Sequence, residues 1–255
     1  MALAISNVCR AKIVEFEIGS RAYYEKIAKH PSWPGGMSGI TIGIGYDLGQ
    51  HTRDQFLTDW QGREVTSEPF AGLRAVCGLK GAVAKWVLHT VADLSISYAD
   101  AVEVFDQTVL PRYIAMTEKA FPNCDKLNPD AFGALVDLVY NRGADVTSLT
   151  DQRAEMRCIK LAMAALNLPA IPGYLRSMKR LWPNSRGLQA RRDWEADIFE
   201  VAISGKPLPA LVPTAQPQVR PPIIPSRRPT VVQQADDNIA DELNARELER
   251  IRRQK

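Results

Sequence analysis

Clustered metal ligands are missing from this chain. Its three histidines, His30, His51 and His89, are scattered, and its four cysteines, Cys9, Cys77, Cys124 and Cys158, form no CxxC pair. Zinc ribbons and fingers need ligands paired at short spacing, so both are excluded. Asp125 and Asp130 do not belong to the 12-residue calcium-loop pattern. No metal and no cofactor is therefore expected. Free cysteine behaves as a small hydrophobe, and the four thiols read as buried groups of a reducing compartment; a disulfide stays open to a protein that ends outside the cytosol. Charge of one sign is also scarce. Thirty-two basic against 29 acidic side chains leave a net +3, too little to argue for nucleic acid yet compatible with a polyanionic surface such as bacterial cell wall. No apolar run reaches the roughly 18–20 residues that span a bilayer. The best candidate, 159–171, is interrupted by Lys160, Asn167 and Pro169, so an integral membrane protein is not expected. The first ten residues carry no basic region ahead of their short apolar run, and no signal peptide is expected there.

What is present is enough for a core without staples: 255 residues, about one ordinary domain and an appendage. Cys9, Ile13, Phe16 and Glu17 recur at helical spacing, so 7–29 reads as a helix or helix pair broken near Gly19, with Lys12 and Glu15 on another side. Pro31, Pro34 and Gly35-Gly36 stop that structure, and 38–48 reads as a strand or hairpin followed by a turn. Amphipathic patterns predict helix over most of 50–115, with a new start at Ser95 or Ser97 and an end or kink at Pro111. Asn128-Pro129 is a cap followed by a first-turn proline, and Gly143 is placed for the left-handed position after that helix. Segments 151–166 and 187–203 complete a body over 1–205. Eight prolines between Pro207 and Pro229 define an extended linker over 206–230, a reading preferred to a ligand for an SH3-like module. Residues 231–255 follow as a charged helix that can dock on the body, pair with a second copy or hold a carrier.

The chemistry concentrates in Ser38-Gly39-Ile40-Thr41-Ile42-Gly43-Ile44-Gly45-Tyr46-Asp47-Leu48-Gly49. Alternating β-branched residues and glycines bring backbone, one hydroxyl and one carboxylate close to a bulky polar ligand. Glu17, Thr41 and Asp47 together suit acid/base hydrolysis: one carboxyl kept protonated beside a leaving oxygen, another ionised beside the attacked carbon or its water. A glutamate on an apolar helix face is suited to a raised pKa. The blander alternative stands beside this one, with Glu17 in a structural hydrogen bond and Asp47 capping the helix that follows.

Phe16-Glu17, Tyr24 and Thr41-Ile42-Gly43-Ile44-Gly45 resemble the catalytic region of phage-type lysozymes, the endolysin muramidases. Ala134 to Gly143 looks like their helix ending in Asn-x-Gly, and Gly187-Leu188, Arg191-Arg192, Glu195 and Phe199 look like their closing signature. The three segments occur in order and span most of residues 12–200. In standard members the second carboxylate lies between the glutamate helix and the threonine, but here Glu25 to Ile40 contains no aspartate. An arrangement similar to the muramidase domain of pesticin, with the aspartate after the threonine-glycine strand, assigns the role to Asp47.

This resemblance implies a lysozyme-like α+β fold, mostly helical with a small β-hairpin lobe and a cleft between lobes. It implies a glycoside hydrolase that cleaves the β-1,4 bond between N-acetylmuramic acid and N-acetylglucosamine in peptidoglycan. Glu17 would be the general acid, Asp47 would activate water or stabilise the transition state, and Thr41 would position the water. Tyr24, Trp33, Tyr46 and Asn141 would contact the sugar. A cytoplasmic product would then reach the periplasm or wall through a holin or a secretion system. Two alternatives remain: a lytic transglycosylase using Glu17 without Asp47, and a non-catalytic peptidoglycan-binding or virion structural module.

Overall fold

The computed structural model describes residues 3–67 and 70–205. The linker expected over 206–230 and the helix expected over 231–255 lie outside the described residues. The fold is mostly helical with one two-stranded antiparallel hairpin, an α+β architecture with a minor β part. Its described residues divide into two compact units, 17–67 with 70–108, and 3–16 with 109–205. Among the described residues no helix is long and apolar enough to cross a membrane.

Helix α1 (Asn7–Ile18) buries Cys9 and Ile13, while Lys12 and Glu15 pair at 2.9 Å on another side. Gly19, at φ 70°, ends it. Ser20 then caps α2 (Arg21–Tyr23) by accepting from the Tyr23 N–H at 3.1 Å. The chain continues as a π-helical turn over Tyr24–Ala28, so the expected break near Gly19 is present. The hairpin consists of β1 (Thr41–Ile42) and β2 (Tyr46–Asp47). It is followed by α3 (Arg53–Asp59), α4 (Ala71–Ala75), α5 (Gly81–Val87) and α6 (Tyr98–Val104). Long helical stretches do not form across 50–97 because Gly62 and Gly78 take φ 77° and 79°, which no right-handed helix contains. Ile42, Tyr46, Phe56, Trp60, Leu73 and Val83 are all essentially buried and form the core of this unit.

Of the two possible caps for α6, Ser97 serves, accepting from the Asp100 N–H at 3.0 Å. Pro111 neither stops nor interrupts the helical path. It sits in the first turn of α7 (Leu110–Ala120), and a π-helical turn over Phe105–Val109 precedes it. A proline removes one donor and crowds the carbonyl four residues back; a wider turn ahead of it relieves both demands.

In the other unit, α8 (Pro129–Arg142) begins as expected, Asn128 Oδ1 accepting from Ala131 N–H at 2.8 Å. Residues 131–139 are buried without exception, which makes α8 the central helix of this unit. It packs against α7 and α11 (Arg186–Ser204), and α10 (Ile171–Ser177) packs in turn against α11 and α9 (Ala154–Ala164). Gly133 lies against Cys9, where a Cβ would come within 2.5 Å of its Sγ. Gly143 departs from the expectation. Its φ of 76° requires glycine, but ψ is 168°, so it leads the chain away extended rather than curling it into a left-handed cap.

All four cysteines are free. Burial pushes the thiols of Cys9 and Cys124 up to about 12 and that of Cys77 to about 11. The folded state thus holds these protons beyond the unfolded thiol range near 8.5. Their contribution to stability is complete below about pH 8 and is lost as pH rises toward 11–12. Iodoacetamide at pH 8 should therefore label Cys9 and Cys124 about 10³-fold more slowly in the native protein than in urea. Equal rates would show that these thiols are not buried.

Candidate active site

The hairpin is built by alternation. Ile40, Ile42 and Ile44 are buried, whereas Thr41 is half-exposed between them. Thr41 pairs directly with Asp47, and Ile42 with Tyr46. Residues opposite one another in an antiparallel pair project to the same face, with Cβ atoms roughly 5 Å apart. The hydroxyl and carboxylate expected to act together are thus neighbours on the half-exposed face. Ser32 adds a third segment beside them, bridging Thr41 through hydrogen bonds of 2.7 and 3.0 Å.

Asp47 is also a clamp. Its Oδ1 accepts from Gly49 N–H at 2.8 Å, capping the 3₁₀ turn Leu48–Gln50, and from Gly39 N–H at 3.0 Å. The structural alternative for Asp47 is therefore realised at Oδ1, while no hydrogen bond to Oδ2 is found among the described residues. Gly39 and Gly49 cross backbone on backbone. A Cβ on Gly39 would lie 2.3 Å from Gly49 N and 2.4 Å from Asp47 Oδ1. Gly39→Ala should accordingly destabilise the protein by about 2–3 kcal/mol in urea unfolding. Gly36→Ala, at φ 56° with nothing within 4 Å, should lose only about 1–2 kcal/mol from backbone strain. Similar losses at the two positions would remove the clamp from the account.

Glu17 occupies the last turn of α1, half-buried, in the same compact unit as the hairpin. Trp33 is half-buried too. Its indole N–H donates to Ser38 O at 3.0 Å, and Lys85 Nζ lies 5.4 Å from the ring centroid. Two expected sugar contacts need correction. Tyr24 is fully buried, donating to Ile96 O at 3.1 Å and meeting Tyr98 edge-on, and burial raises its phenol pKa. Tyr46 is 2% exposed, stacked on His51 and donating to Asp59 Oδ2 at 2.6 Å. Neither ring presents a face to solvent, because the β period that puts Asp47 outward puts Tyr46 inward.

His51, read from the sequence only as an isolated histidine, supports the hairpin. Its Nδ1 lies 2.7 Å from Asp47 O, and its ring stacks on Tyr46 at 4.1 Å. The roles of Gly39 and Gly49 were likewise not singled out; their signal was a pair of glycines on either side of the candidate carboxylate, eight positions before it and two after.

Asn141 lies on α8 in the other unit. Its Oδ1 accepts from Arg192 Nη2 at 3.1 Å, and it belongs to a buried charge cluster. Arg191 grips Asp137 with bonds of 2.6 and 3.1 Å. Arg192 and Glu195, both with 0% side-chain exposure, pair at 2.6 Å. Burial raises the Glu195 carboxyl well above the usual range against the pull of the Arg192 cation. These arginines therefore hold the interior of this unit together. Lys179 and Arg180 are engaged with Asp193, Asp151 and Glu155.

The geometry so far defines a mostly helical protein that carries a carboxylate-bearing glycine hairpin. The family model described as Domain of unknown function (DUF8812) matches residues 15–167, and the chain belongs to that family. The match takes in Glu17, the hairpin and α8 but stops short of α11. No curated protein matches the chain.

Proposed function

We propose that the chain is a peptidoglycan hydrolase, a muramidase that cleaves between N-acetylmuramic acid and N-acetylglucosamine, used in host lysis or against another bacterium. The observation that carries this reading is the cross-strand pairing of Thr41 with Asp47 on the half-exposed face of the hairpin. A carboxylate and a hydroxyl on side chains whose Cβ atoms stand about 5 Å apart can hold one water between them. Glu17 supplies the proton to the leaving oxygen. Asp47, its bearing set by Gly39 and Gly49 through Oδ1, directs Oδ2 to the water that Thr41 positions. Trp33 remains as a sugar contact in this reading, whereas Asn141, in the other unit, is engaged by Arg192.

A second reading draws on the clamp itself. If Asp47 serves only to cap the turn, Glu17 acts alone, as in a lytic transglycosylase, and the muramic acid closes on itself without water. Digestion of purified peptidoglycan, with mass analysis of the glycan ends, separates the two. Reducing muramic-acid ends are expected; anhydromuramic ends would replace hydrolysis by transglycosylation, and intact glycan would leave a binding module. Delivery to the wall, by a holin or a secretion system, belongs to the same proposal.

A further inference from the structure

Helix α5 has an outer face that its packing leaves unused. Gly81, Val83, Ala84 and Val87 are buried, whereas Ala82, Lys85, Trp86 and His89 are exposed along one stripe that continues past the end of the helix. Trp86 is 51% exposed. A large aromatic surface left in water is the informative exception to burial, and exposed aromatic anchors mark binding surfaces. The ring is held in place: His89 meets it edge-on at 5.9 Å, and His89 Nδ1 lies 2.7 Å from Trp86 O. Lys85 forms no ion pair among the described residues, and its ammonium lies instead over Trp33. Met37, in the turn after Trp33, is exposed as well.

This surface is tied to the hairpin by backbone. Ser38 O accepts from both the Trp33 indole and Gly81 N–H at 3.0 Å, which fixes the first residue of α5. The next residue, Gly39, donates to Asp47. Two indoles and an unpaired cation thus stand on a short, rigid path from the candidate carboxylate. A pyranose with equatorial substituents offers a flat C–H face to an indole, and a carboxylate on the same sugar complements the lysine.

Building on the muramidase reading, we propose that Trp33, Lys85 and Trp86 bind the glycan strand beyond the cleavage point. They favour a β-1,4-linked amino-sugar strand whose muramic acid carries a free lactyl carboxylate. Trp86 and Trp33 stack on sugar rings, and Lys85 selects muramic acid over N-acetylglucosamine.

The test uses the full chain carrying Glu17→Gln, titrated calorimetrically with chitotetraose and with the peptide-free tetrasaccharide of alternating N-acetylglucosamine and N-acetylmuramic acid. The muramic tetrasaccharide should bind more tightly. Adding Trp86→Ala should weaken both ligands roughly tenfold, with Trp86→Phe falling between. Adding Lys85→Gln should abolish the preference while leaving chitotetraose affinity within about twofold. Both side chains are exposed, and unchanged thermal melting will show that the variants are folded. Unchanged affinities in Trp86→Ala, a preference that survives Lys85→Gln, or no binding of either tetrasaccharide would overturn the proposal. Failure of the muramidase reading looks different: wild-type protein that leaves peptidoglycan uncut while Trp86→Ala still weakens binding would remove the hydrolase and keep the surface. Normal cleavage with indifferent variants would do the reverse.

Discussion

Glu17→Gln should reduce release of reducing glycan ends from purified peptidoglycan by at least about 10³-fold, equivalent to roughly 4 kcal/mol of transition-state stabilisation. Glutamine preserves the size of the half-buried side chain, so folding should survive while proton transfer does not. Asp47 requires a pair of substitutions because it has two duties. Asn retains an acceptor for Gly39 and Gly49 N–H and is itself a good cap; Asp47→Asn should keep the hairpin and remove the carboxylate chemistry. A fall of about 10²-fold or more in rate with little change in melting temperature is expected if water is activated here. Asp47→Ala should add a stability loss of about 1–2 kcal/mol, the usual penalty for deleting a cap. Near-wild-type turnover in Asp47→Asn with strong loss in Glu17→Gln would assign Asp47 to structure alone and favour the transglycosylase reading.

Glu195→Ala should be among the most destabilising single substitutions, about 3–5 kcal/mol. It would strand the Arg192 guanidinium in the interior with Asn141 Oδ1 as its remaining side-chain hydrogen-bond acceptor and the Trp182 ring 5.8 Å away. For a protein of this size the melting temperature should fall by about 10 °C. Glu195→Gln keeps an oxygen where Oε1 now sits 2.6 Å from Arg192 Nη2 and should lose much less. The internal control is Asp193→Ala, which breaks the Lys179–Asp193 pair at 2.7 Å between side chains 37% and 42% exposed. Water screens that pair, and the expected change is under about 1 kcal/mol. Equal shifts for Glu195→Ala and Asp193→Ala in thermal unfolding would show that the buried pair does not organise the core.

Local chemistry made several elements legible. Asn128-Pro129 announces a helix start wherever it stands, and Ser97 caps as its type predicts. The hairpin was legible because glycines interrupt β-branched residues between two helix breakers. The two π-helical turns were not, since each is a compromise with tertiary packing; around 105–109 only Pro111 hinted that the ladder needs extra room. For the candidate site, Glu17, Thr41 and Asp47 could be named in sequence, but the register pairing Thr41 with Asp47 depends on where the chain turns. A turn over 43–45, rather than one residue earlier or later, decides it. The same register sends Tyr46 inward, and no composition rule distinguishes a tyrosine on a sugar surface from one in a core. Arg191 shows the limit again: its charge demanded a buried partner, but that partner is Asp137, 54 positions away on another helix.

The crossing of Gly39 and Gly49 gives Asp47 an unusual mechanical character. One oxygen is held by amides from segments ten positions apart, so the side chain can swing only if both release it together. Its bearing is consequently a property of the hairpin as a rigid piece, not of a rotamer choice. In the muramidase reading, any adjustment between a resting and a working geometry must come from the substrate, or from Glu17 at the end of its helix.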